Sequence, residues 1–317
     1  VRILFWGTPD FAVPPLEALL GEGFDVVGVV TQPDRPVGRT RALTPPPVKV
    51  VALREGLPVL QPERPRGEAF LAELTALGPD LNVVVAYGHI LPVAVIEQPT
   101  RGTINIHASL LPALRGAAPI ETAIRRGDTE TGVTIMRMVL AMDAGPCLYT
   151  ARVPILDDET GGELRNRLSE VGAQALIEAL ALMELNCLVE TEQDHSLATF
   201  APKIQREDAR IPWGATAADV ANVVRAYDPR PGAFTTHRGL EVKCFGVRAS
   251  AMHTQVDAPG TVLAIDDDGM LIACGQGTVR ISDVHPSGKR RQSVHDWAAG
   301  RGIAVSDVLG IDDDARA

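Results

Sequence analysis

The run VRILFWGTPDFAVPPLEALLGEGFDVVGVVT (1–31) decides the fold. Its two ends, VRILFW (1–6) and DVVGVVT (25–31), are β-branched and nearly continuous in apolar character, as strands covered on both faces must be. Between them FAVPPLEALL (11–20) has helical spacing and stops at Gly21 and Gly23. Strand, helix and strand in this order make one unit of a parallel sheet, because parallel neighbours need a crossover. Outward from it the alternation continues, with strands at LNVVVA (81–86), TINIH (103–107) and VTIMRM (133–138), and helices at 48–55, 68–77 and 118–126 that each end at a glycine. A long helical pattern starts at Gly161 and closes the region. The expectation is an α/β domain over residues 1–188, with a Rossmann-like, mostly parallel sheet and its ligand site at the carboxyl ends of the strands.

Beyond it the texture changes. ETEQDHSLAT (190–199) is polar and has no periodicity, which reads as part of a surface linker over 189–206. Short strands between glycine turns follow, at GLEVKCFGV (239–247), GTVLAI (260–265), LIAC (271–274) and GTVRISDV (277–284). Their spacing predicts a second, smaller antiparallel barrel or sandwich over 207–317.

With 317 residues, 45% of them hydrophobic, the chain has enough apolar material for about two domains, and disorder is excluded. The net charge of −10 argues against coating a nucleic acid or a membrane by bulk electrostatics, although local basic surfaces stay open. Cys147, Cys187, Cys244 and Cys274 stand too far apart for CxxC or zinc spacing and read as free thiols in a reducing compartment. No apolar run of ~18 residues is present, and the chain enters a strand at once. A cytoplasmic, metal-free monomer with no membrane partner is expected.

Several common α/β chemistries are missing. There is no P-loop, no H-E-x-x-H and no G-x-S-x-G elbow, and Gly7-Thr8-Pro9 offers one glycine where a dinucleotide fold needs three. What stands out instead is NIHASLLPALRGAAPI (105–120). Asn105 and His107 lie two apart at the end of a strand, so both side chains point to one side and can face one reacting group. A lone histidine at such a place is more often structural than catalytic. A further polar residue, Asp143, lies on the loop of LAMDAG, where a turn-forming role is the alternative.

Taken together, NIHASLLPALRGAAPI and ETGVTIMRMVLAMDAGP (130–146) resemble the folate-dependent formyltransferase family, with its Asn-x-His-x-Ser-Leu-Leu-Pro pattern and a distant Asp in a D-x-G turn. GTPDFAVPPLEAL, TQPDRPVGR, VVVAYGHILP, FAPKIQREDARIPW, RAYDPRPGAF and HPSGKRR extend the likeness over nearly the whole chain, and resemble the branch of that family acting on methionyl initiator tRNA. Asn82 and Ala108 depart from the pattern, at positions the family does not use for catalysis.

The resemblance implies transfer of a formyl group from 10-formyltetrahydrofolate to the α-amine of methionine on initiator tRNA. Asn105, His107 and Asp143 would be the catalytic residues. The Asn105 amide is a donor that never ionises and suits an oxyanion. His107, if charge-paired with Asp143, is favoured as imidazolium and can donate a hydrogen bond or a proton. Asp143 would orient it, while Asp143 and bulk water both stay open as acceptors of the amine proton. The folate is expected near Ser109, Leu110, Leu111 and Pro112, and near Tyr87 and Gly88; Tyr87, Gly88 and His89 read equally as packing residues.

For the RNA, the resemblance points to the loop TQPDRPVGRTRALTPPPVK (31–49), with Arg35, Arg39, Arg41 and Lys49, and to Arg39 for the first base pair or its phosphates. Lys203, Arg206 and the basic turn Lys289, Arg290 and Arg291 would add backbone contacts, the second domain being OB-like in the family. A sugar-nucleotide formyltransferase, a formyltetrahydrofolate hydrolase and a non-catalytic RNA-binding protein are the competing readings.

Overall fold

The computed structural model describes residues 1–37, 41–250 and 257–311. They form two compact units, one of Val1–Gly116, Thr131–Val153 and Arg165–Ala201, the other of Ala117–Glu130, Pro154–Leu164 and Pro202–Ala317. Two stretches of the N-terminal sequence thus pack with the C-terminal one.

In the first unit the chain runs through β1 (Arg2–Gly7), α1 (Val13–Gly21), β2 (Asp25–Val30), the hairpin strands β3 (Arg35–Val37) and β4 (Ala42–Thr44), α2 (Pro47–Arg54), β5 (Val59–Leu60), α3 (Glu68–Leu77), β6 (Leu81–Val85), α4 (Val93–Ile96), β7 (Thr103–His107) and β8 (Arg115–Gly116). After α5 (Pro119–Arg126) of the second unit come β9 (Glu130–Arg137), β10 (Cys147–Pro154), α6 (Gly161–Glu184) and β11 (Phe200–Ala201). The seven-stranded sheet has the order β10-β9-β7-β6-β1-β2-β5. From β5 to β7 every pair is parallel, and β9 turns antiparallel to β7. The order reverses between β1 and β6, so the carboxyl ends of those strands and of β7 border the crevice where such sheets bind ligands.

That switch point is tied together by side chains. The Thr8 hydroxyl and the Gln32 amide both donate to Tyr87 O, each at 3.0 Å, joining the ends of β1, β2 and β6. Beneath them Trp6 packs edge-on against Phe70 and Tyr87, with centroids 6.0 and 5.3 Å away. Asn82, an odd residue for an apolar strand, is fully buried in this core. It accepts from Trp6 Nε1 at 3.0 Å and donates to Val95 O and Thr103 Oγ1, both at 3.1 Å. Replacing Asn82 by Leu should therefore strand a buried indole N–H and a buried carbonyl, and cost about 1–3 kcal/mol of stability. Chemical denaturation checks this; an unchanged midpoint would contradict it.

In the second unit α7 (Ala217–Ala226) precedes β12 (Ala233–His237), β13 (Leu240–Ser250), β14 (Val262–Asp266), β15 (Gly269–Ala273), β16 (Thr278–Pro286), β17 (Gln292–Ser293) and α8 (Val294–Ala299). The antiparallel sheet has the order β12-β13-β16-β15-β14, with β17 on β16. Its two edges are joined by the chain after α8. Val262 N donates to Asp307 O and Leu309 N to Gly260 O on the β14 side, and Gly310 N donates to Thr236 O on β12. These bonds cover part of each edge, where an uncovered strand would be open to pairing with another chain.

All four cysteines are unpaired. Burial pushes the Cys244 thiol up to about 12 and the Cys274 thiol up to about 11, while Cys187 is exposed. A disulfide reagent at pH 8 should label Cys187 rapidly and reach Cys244 and Cys274 only on unfolding, because the thiolate is the reacting form. Fast labelling of Cys244 in the native protein would contradict the packing.

Candidate active site

Strand β7 delivers Asn105 and His107 to the same side, as its period of two requires. The Asn105 carboxamide is part-exposed and has no hydrogen-bond partner among the described residues, so its donors are available to a ligand. His107 is buried. Its Nε2 lies 3.0 Å from Leu114 O, and since a carbonyl only accepts, Nε2 carries a hydrogen. The other nitrogen, Nδ1, faces Asp143 Oδ2 at 3.7 Å. That is ion-pair distance rather than a made hydrogen bond, and it becomes attractive when Nδ1 is protonated.

Asp143 reaches this place by an indirect path. Because β9 runs antiparallel, the loop leaving it starts beside the beginning of β7, where Met138 N donates to Thr103 O. It then returns to the other end of that strand. The carboxylate is held there by Gly116 N, which donates to Oδ2 at 2.8 Å, while Oδ1 has no partner among the described residues. The backbone of Asp143 is left-handed, with φ of +49°.

The loop after His107 is stitched from inside. Ser109 is buried and its hydroxyl donates to Ala113 O at 2.6 Å. Thr134 on β9 donates to Ser109 O at 2.7 Å and accepts from Leu111 N at 3.2 Å. Leu110, Leu111 and Pro112 remain half-exposed, and the Leu111–Pro112 peptide is cis. At the other candidate folate position Tyr87 is a core residue whose hydroxyl has no partner among the described residues and whose pKa burial pushes up to about 12. Gly88 beside it is exposed with φ of +88°, and a Cβ there would run into the Gln32 amide, so glycine keeps this backbone accessible.

An open turn lined by a free carboxamide, an imidazole and a carboxylate can polarise a carbonyl and handle a proton. Residues 1–180 match the formyl transferase model and residues 203–302 that of the formyl transferase C-terminal domain. The chain is 46% identical to a methionyl-tRNA formyltransferase of Halalkalibacterium halodurans, with 98% of each chain covered, and 43% identical to that of Bacillus subtilis, with 99% of each covered. The chain belongs to the formyl transferase family. Among solved structures, HypX from Aquifex aeolicus in complex with tetrahydrofolic acid has a TM-score of 0.66 at 22% identity, covering 96% of this chain and 48% of that one. That likeness is one of fold, and this formyl transferase spans about half the length of HypX.

The basic residues fall into separate groups. In the first unit Arg35 is exposed on β3 and donates to Gln32 Oε1 at 3.0 Å, Arg41 is exposed, and Arg39 lies outside the described residues. Lys49 is otherwise engaged, at 2.8 Å from both oxygens of Asp34. Gln61 and Lys49 together hold the Asp34 carboxyl below its ordinary range. In the second unit Lys203 is exposed, and Arg206 pairs with Glu241 at 2.6 Å over the Phe234 ring. Lys289 and Arg290 are exposed on the turn after β16. Arg291 stacks on Phe245 at 4.2 Å between Asp228 and Asp283. Among the described residues the side chains of Lys289 and Arg290 have no partner, whereas Arg206 and Arg291 are tied into the unit itself. No side-chain cluster among the described residues could hold a metal ion.

Proposed function

We propose that this formyl transferase moves the formyl group of 10-formyltetrahydrofolate onto the α-amine of methionine carried by initiator tRNA. The near full-length likeness to methionyl-tRNA formyltransferases, through both units, carries the choice of acceptor. The chemistry rests on the free Asn105 carboxamide beside the His107–Asp143 pair. As the amine adds to the formyl carbon, Asn105 Nδ2 donates to the oxygen that gains charge, where a donor already in place costs no reorganisation. His107, anchored through Nε2, presents Nδ1 as a second donor and as a proton source for the leaving nitrogen of the folate. Asp143 stabilises that protonated ring and offers its unbonded Oδ1 to the amine proton, directly or through a water. Buried Ser109 holds the loop shape from within, leaving Leu110, Leu111, Pro112 and the Gly88 backbone for the folate.

The reading makes the protein a cytoplasmic monomer that touches RNA through two small basic groups, Arg35 to Arg41 and Lys289 with Arg290. No helix among the described residues is long and apolar enough to cross a membrane. Arg39→Leu should raise KM for the tRNA about tenfold, within the ~1–3 kcal/mol of one lost arginine contact, and leave KM for the folate unchanged. Unaltered tRNA kinetics would remove Arg39 from the interface.

The test is a panel of acceptors with 10-formyltetrahydrofolate: methionyl initiator tRNA, methionyl elongator tRNA, an amino-sugar nucleotide and water alone. Formylation confined to the initiator is expected. Transfer to the sugar nucleotide, or formate release without an acceptor, would overturn the reading.

A further inference from the structure

Gln193 lies in the polar stretch that reads as linker, yet it is buried. Its Nε2 donates to Asp143 O at 2.9 Å and to Gly145 O at 2.7 Å. Its Oε1 accepts from Arg115 Nε at 3.2 Å and from Nη2 at 2.6 Å. A side-chain amide has two hydrogens and two lone pairs, and all four are used here. Arg115, also buried, spends a further Nη2 bond on His195 Nδ1 at 2.9 Å, and its backbone N–H donates to Thr199 O.

None of these groups has a part in the chemistry above. What they share is Asp143. A left-handed backbone costs a non-glycine residue energy and persists where the surroundings impose it. Here two carbonyls flanking Ala144 converge on one amide, and a Cβ on Gly145 would collide with Arg137 O, so the turn admits little rearrangement. The carboxylate is held from the same source, since its Oδ2 accepts from Gly116 N, the residue after Arg115. One short piece of chain and one glutamine therefore fix Asp143 at both its main chain and its side chain.

We infer that Gln193 is a positioning residue for Asp143, with Arg115 orienting Gln193, and that the pair sets the aim of the carboxylate toward His107 Nδ1 rather than the binding of either substrate. The inference rests on the proposed formyl transfer. Gln193→Glu separates the roles, because it keeps the acceptor for Arg115 and loses both donations to the loop. Gln193→Leu loses everything.

Both variants are assayed with the full chain for kcat and for KM of folate and tRNA. Single-turnover rates are then taken in wild-type and Asp143→Asn backgrounds with enzyme in excess. Gln193→Glu is expected to lower kcat about ten- to hundredfold with each KM within about twofold, and to have less than about a twofold effect once Asp143 is Asn, since coupled residues are not additive. Wild-type kcat in Gln193→Glu, or equal losses in both backgrounds, overturns the inference. Should Gln193→Leu fail to melt cooperatively, Gln193→Glu alone decides. A wild-type chain that formylates no methionyl-tRNA overturns the proposed function and this inference together, whereas an active wild type with indifferent variants overturns only the latter.

Discussion

Asn105→Ala is expected to lower kcat for formyl transfer by about 10²–10³-fold, the usual consequence of removing one donor from a developing oxyanion. The size follows from the placement of the side chain. Asn105 stands part-exposed on a strand fixed between β6 and β9, and its amide bonds to nothing else among the described residues. Removing it strands no partner inside the protein, so stability should stay within ~0.5 kcal/mol, and on the proposed mechanism only the donor to the formyl oxygen is lost. The loss belongs in kcat rather than KM, because the bond strengthens as the carbonyl oxygen gains charge. Rapid-mixing kinetics with both substrates saturating check this. Near wild-type turnover would take Asn105 out of the chemistry.

The second large effect concerns His107 and Asp143. Each single alanine variant should lose about 10²–10⁴-fold in kcat, the range of a positioned acid–base group. The double variant should lose scarcely more than the worse single one. Nδ1 of His107 and Oδ2 of Asp143 face each other at 3.7 Å, and the remaining ring nitrogen is fixed on Leu114 O, so the loss of either residue leaves the other without its partner in the proton transfer. His107→Ala also leaves Leu114 O without its donor, and a modest stability loss should accompany it. Multiplying losses in the double variant would show that the two work separately.

The α/β alternation is legible because strands covered on both faces have to be apolar throughout, and Asn82 interrupts that pattern only because its amide is fully bonded inside. β10, which starts at Cys147, goes unread because an edge strand with alternating exposure leaves no apolar run. The hairpin of β3 and β4 is equally silent, since the residues of β4 are all exposed. α7 does carry a signal, Thr216 accepting from Asp219 N as an N-cap ahead of buried Val220, Val223 and Val224, but it lies among strand-like segments.

The site divides in the same way. Asn105 and His107 follow from strand periodicity, whereas Asp143 gets to His107 around an antiparallel strand, which no spacing rule encodes. Within 190–199 the buried residue is Gln193. It and Thr199 are held by individual hydrogen bonds rather than by a periodic face, so neither leaves a signal in the spacing.

The most direct measurement follows a radiolabelled formyl group through a single turnover with the donor limiting and methionyl initiator tRNA in excess. Label recovered as formylmethionyl-tRNA, one formyl for each donor consumed, with no free formate, is the expected result. Donor consumed with the label released as formate, or no consumption while the RNA is bound, would contradict formyl transfer at Asn105, His107 and Asp143.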